Sequence, residues 1–130
     1  MLETDDILRL AVERASALNG LWNLFLAVVT AVVGVLAAGK SFTGSRSLKI
    51  CLTIVFVAFA IANLGAMIDL GNLRRALVGM LPADLPPDVT DSLRPWGLWQ
   101  YVAFHLFLDV IVIVAIWRVP WRGAEASGGV

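Results

Sequence analysis

Three blocks of this chain, residues 18–38, 50–68 and 97–117, are almost unbroken hydrocarbon. Each is long enough to cross a bilayer core, which takes about 20 helical residues at about 1.5 Å of rise each. In lipid no water satisfies a free backbone group, so each block must be a helix. Helices of a soluble core are amphipathic, whereas these blocks are apolar nearly all round. Composition agrees: 15% of residues are charged, against about a quarter in soluble domains, and the mean hydropathy is +0.84. The formal net charge of zero leaves no bulk electrostatic case for nucleic-acid binding. The single cysteine, Cys51, has no disulfide partner and no metal-ligand spacing, and reads as an apolar filler. "AAGK" after the first block invites a signal-peptide reading. However, "MLETDDILRLAVER" is not a short basic leader and the apolar run is too long, so the block reads as a retained span.

The sequence therefore predicts a single all-α integral membrane domain, residues 1–130, with three transmembrane helices at 18–38, 50–68 and 97–117. Residues 1–17 form an amphipathic helix, opened by Thr4 or Asp5 and carrying acids in its first turn, where the helix dipole favours them. This helix either lies at the interface or extends the first span, and Gly20 is a plausible bend between the two. "GKSFTGSRSLK" is a flexible basic loop. In the outer loop, 69–96, "NLRRALVGML" has the pattern of a short interfacial helix over 72–81, which would anchor the loop or bind an anionic lipid. The proline-rich "PADLPPDVTDSLRP" is an ordered loop or lid, and 118–130 is a flexible tail.

Lys and Arg are tied five against five across the two sides. Those of the first loop and tail (Lys40, Arg46, Lys49, Arg118, Arg122) crowd the membrane ends, where the positive-inside rule applies. Eight of the ten acids lie on the N-terminal side. The expected placement is a bacterial plasma membrane, with the N-terminus outside and the C-terminus cytoplasmic. Trp96 and Trp99 mark one interface, and Trp117 and Trp121 the other.

Polar residues inside the spans carry the functional signal, because an Asp at mid-membrane costs about 2.5–3.5 kcal/mol on insertion scales. In the third span Tyr101, His105 and Asp109 follow at four-residue steps and form one stripe. His105 and Asp109 lie about 3 Å to either side of the centre, with Asn23, Asn63 and Gln100 about 6–10 Å outward. These six residues are the candidate intramembrane site. A second pattern is a seam of small and polar residues: Asn19, Asn23, Thr30 and Gly34 on the first span, and Ala58, Ala62 and Gly65 on the second. Such seams let membrane helices approach closely. Turning them toward one another would bring Asn23 and Asn63 to His105.

Three functional readings follow. The first is a non-enzymatic membrane protein, a subunit or accessory that assembles through its seams with further copies or with a partner membrane subunit. Here His105 and Asp109 are interhelical glue. The second is a transporter or proton- or cation-coupled binding protein, with an outward-facing pocket floored by His105 and Asp109. The third rests on "HLFLD", which resembles the His-x-x-x-Asp of membrane-anchor subunits similar to those of succinate dehydrogenase. That resemblance implies a haem or quinone site. It covers five residues, and Val102, Ala103 and Phe104 stand where the family's arginine and small residues are expected. No soluble catalytic constellation is present: the serines sit in loops, phosphate-loop glycines are lacking, and there is one histidine.

Overall fold

The computed structural model describes residues 3–38 and 46–118. Four helices follow in order: α1 (Thr4–Ala38), α2 (Arg46–Gly79), α3 (Pro87–Leu93) and α4 (Leu98–Arg118). No strand occurs among the described residues. Three of the helices are long and apolar enough to cross a membrane. The expected basic first loop and the tail fall largely on 39–45 and 119–130, outside the described residues.

Helix length sets the frame. With 21 residues, α4 is about 31 Å long, matching a hydrocarbon core. The 35 residues of α1 and 34 of α2 each reach about 50 Å. The surplus of both lies on the side where α4 begins, so α1 and α2 run on past the start of α4 as an antiparallel pair. Three apolar layers stack along the bundle. Ile7, Ala11 and Leu77 close the projecting end, with Leu10, Leu81 and Leu93 packed against them. Leu18, Met67 and Tyr101 form the middle layer. Phe25, Val32, Leu36, Phe56, Ala60, Val112 and Ile116 fill the far half.

The spacing of buried residues explains this pairing. Ala11, Leu18, Phe25 and Val32 recur every seven residues on α1. Phe56, Asn63 and Leu77 keep the same seven-residue register on α2, with Ala60 and Met67 on the companion rows. A sustained seven-residue period is the seam of knobs-into-holes packing. It continues without interruption into the projecting segments.

Two expectations about helix boundaries are corrected. Gly20 makes no break, because α1 is continuous through it. One glycine costs a helix about 1 kcal/mol relative to alanine, too little to break one held by Leu18 and Phe25 on either side. Residues 72–81 are not a separate interfacial helix either, since α2 runs on to Gly79. Leu77 stays in register with the core and finds Ile7 and Ala11 opposite, so its apolar face needs no membrane surface. The helix ends where the N–H groups of Met80 and Leu81 donate three residues back, to Leu77 O and Val78 O, just before Pro82. The proline-rich loop is ordered around α3, which starts with Pro87 in its first turn.

Candidate functional site

The stripe on α4 faces inward as its spacing requires: Tyr101, His105, Asp109, Val112 and Ile116 are all buried. His105 is fully enclosed. Its Nδ1 lies 2.8 Å from Asp109 Oδ2, one helical turn away. On the other side its Nε2 lies 3.3 Å from Asn63 Nδ2, which joins α4 to α2.

Proton positions follow from the donors. Asn63 Nδ2 also lies 3.4 Å from Met67 Sδ, a thioether that can only accept. The amide nitrogen therefore points at both neighbours, and Nε2 must accept. The imidazole is then the neutral Nδ1–H tautomer, donating to Asp109 Oδ2. The chain runs in one direction, Asn63 to His105 to Asp109. Asn63 Oδ1 and Asp109 Oδ1, both buried, have no hydrogen-bond partner among the described residues. Asp109 Oδ2 accepts from the imidazole whether or not Oδ1 carries a proton.

Aromatic rings close the site. Phe25 packs on the imidazole with ring centroids 4.2 Å apart, and Trp22 stands at 6.0 Å. Trp22 also meets Phe104 at 5.6 Å, and Phe25 stacks on Phe59. These rings were not part of the candidate site read from the sequence. For Phe25 the sequence carries a signal, the seven-residue row of Ala11, Leu18, Phe25 and Val32, which stands opposite the small-residue seam of α1.

The remaining candidates separate sharply. Asn63 reaches His105 as expected, but Asn23 is exposed and does not. Asn19, Thr30, Gly34, Ala58 and Ala62 are exposed as well, and Gly65 is half-buried. At about 100° per residue Gly34 stands about 180° around α1 from Phe25. The small seams thus face away from the chain's own core, which corrects the expected packing. The physical reason is volume: Phe25, Phe56 and Met67 fill the space between helices that a small-residue contact would have closed. A Cβ added at Gly34 or Gly65 would meet nothing within 4 Å. Gln100 has a different role from the one expected. Its Oε1 accepts from the Gly97 N–H at 2.9 Å, capping the start of α4 in the manner of a capping box.

A cavity of about 400 Å³ opens on the side where α4 begins, lined among others by Trp22, Tyr101 and Phe104. Its lining does not include His105 or Asp109, so the expected pocket floor is replaced by aromatic rings. Both imidazole nitrogens are engaged, leaving neither open to a haem iron. No group of three or more His, Cys, Asp or Glu residues poised for a metal occurs among the described residues. No protein-family model, curated protein or solved structure matches the chain.

The geometry makes the Asn63–His105 contact a coupling between helices. In a double-mutant cycle of Asn63→Leu and His105→Leu, measured by unfolding in mild detergent, we expect a coupling of about 0.6–1.7 kcal/mol. A parallel cycle of Asn23→Leu with His105→Leu should show none. Equal coupling in the two cycles would mean that Asn23, not only Asn63, reaches the imidazole.

Proposed function

We propose that the protein is a non-enzymatic integral membrane subunit or accessory that assembles through the outward small and polar faces of α1 and α2. One observation carries this reading. Asn23 lies within a span, about 7 Å from its centre, yet is exposed and forms no side-chain hydrogen bond with the described residues. A primary amide facing hydrocarbon is costly unless another helix supplies a partner. Around it the surface is built for close approach. Gly34 stands open, Ala27 and Ala37 are small and exposed, and the Thr30 hydroxyl is already satisfied by Leu26 O at 2.8 Å. Ala58, Ala62 and Gly65 repeat the pattern on α2. The polar chain at His105 then serves the monomer by fixing how α4 sits on α2, and the seams serve the assembly. The partner is a second copy or another membrane subunit with a matching face.

Gly34→Leu and Asn23→Leu separate fold from assembly. Both should leave the unfolding of the detergent-isolated monomer unchanged. Both should weaken self-association in sedimentation equilibrium, or retention of a co-purifying subunit, by about tenfold or more. Val35→Leu, exposed but off the seam, serves as control. Unchanged association in both seam variants rules the reading out.

The location proposed is a bacterial plasma membrane with the N-terminus outside. The acidic α1 start and the basic residues at the opposite membrane ends support this orientation. A membrane-impermeant thiol reagent applied to intact cells should then spare Cys51 and label an Asp88→Cys variant lacking Cys51. The reverse labelling pattern inverts the orientation.

A further inference from the structure

The 400 Å³ cavity has a chemistry that neither the polar chain nor the seams use. It lies at the start of α4 and is lined by Trp96, 62% exposed; Trp99, in the first turn of α4, is 79% exposed. Exposed indoles at a span's end mark the headgroup level of a bilayer. Two guanidinium groups from different parts of the chain line it: Arg74 of α2, and Arg94 in the linker before α4. Trp22 from α1 and Tyr101 and Phe104 from α4 line it too. The lining therefore combines two cationic groups with aromatic rings.

Neither cation is well satisfied within the chain. Among the described residues Arg94 pairs only with Asp91, at 4.0 Å and with both side chains more than two-thirds exposed, a pairing that solvent screens. Arg74 forms no ion pair among the described residues. Its Nη2 makes one long contact of 3.5 Å to Ser92 O. Its Nε is shut away from water with no acceptor. A buried donor without an acceptor is unfavourable, and of the guanidinium's other donors only Nη2 has a partner among the described residues. Arg75 and Arg94 line an adjoining cavity of about 530 Å³ that shares Trp96, so the cationic surface continues around the indole. This is a local feature, because eight of the ten acids in the chain lie on this same side. An anion drawn here answers to the site rather than to the general field.

We propose that this cavity binds an anionic phosphoryl group, held between Arg74 and Arg94, with the apolar or glycerol portion of the same molecule against Trp22 and Phe104. Guanidinium groups present several N–H donors in a planar fork that matches phosphoryl oxygens, often two at a time. The cavity exceeds the size of a phosphoryl group, and its aromatic lining suits what that group is attached to. The carrier is an anionic phospholipid in the surrounding leaflet or a free phosphate ester, which share this chemistry.

The test uses the full-length protein in phosphatidylcholine nanodiscs, with tryptophan fluorescence as the readout. Brominated phosphatidylglycerol is titrated in one series and brominated phosphatidylcholine in another. We expect half-maximal quenching at roughly tenfold lower mole fraction for the anionic lipid. The preference should vanish in Arg74→Gln and persist in Arg9→Gln, which removes a charge from the projecting part of α1. Should Arg74→Gln lose its helical circular dichroism, the exposed Arg94→Gln carries the same test. Addition of glycerol 3-phosphate at constant ionic strength identifies the carrier. Displacement of the brominated lipid, or a rise in thermal stability that Arg74→Gln abolishes, assigns the site to a free ester. No displacement together with preferential quenching assigns it to lipid. Equal quenching by the two lipids and no stabilisation by glycerol 3-phosphate overturns the proposal, as does a preference that survives in both arginine variants.

Discussion

The contact between Asn63 and His105 joins two helices by direction rather than by shape. Around it, the layers of Leu18 and Met67 and of Phe25, Phe56 and Ile116 are apolar packing, which fixes distance well and register less well. Leu, Val and Phe faces can slide by a turn at modest loss, since lipid is as apolar as the core itself. A hydrogen bond at 3.3 Å cannot slide. The polar chain also lies between the middle layer at Tyr101 and Met67 and the far layer at Phe25 and Phe56. A shift of α4 by one turn would take the imidazole Nε2 away from Asn63, while the bond from Nδ1 to Asp109, made within α4, would move with the helix. A single polar residue in a core row of a coiled coil sets register in the same way.

The enclosing rings make that hydrogen bond stronger. Phe25 and Trp22 keep water from the imidazole, and a hydrogen bond in a medium of low dielectric is electrostatically stronger than one in water. The same exclusion raises the consequence of breaking it. Asn63 Oδ1 and Asp109 Oδ1 already have no hydrogen-bond partner among the described residues, so loss of the imidazole would leave further buried groups unsatisfied.

How much the sequence reveals depends on what lipid distinguishes. The three spans were legible, because length and apolarity alone decide them. The inward stripe of α4 was legible too, because Tyr101, His105 and Asp109 have only one face that avoids hydrocarbon. On α1 the choice was ambiguous. One face offers Asn19, Asn23, Thr30 and Gly34; the other offers Leu18, Phe25 and Val32. Burying an apolar face gains nothing from lipid beyond packing, so hydropathy cannot rank the two. The bundle uses the larger side chains inward, and the small seam faces outward. The overhang was hidden for a related reason. Arg74 and Arg75 interrupt an apolar pattern in the way an interfacial helix does, yet they sit on a helix that continues because Ile7 and Ala11 cover Leu77. That pairing lies some seventy residues apart in the chain and leaves no local mark.

The central claim is that Asn63 donates to His105, which in turn donates to Asp109. The chain has one histidine, so ¹⁵N labelling of histidine reports this site alone. At neutral pH in bilayers, the ¹⁵N spectrum should show a single neutral imidazole with Nδ1 protonated and Nε2 bare. Asn63→Leu should shift the Nε2 resonance toward that of a free, unbonded nitrogen. A spectrum with Nε2 protonated, or one unmoved by Asn63→Leu, contradicts the account.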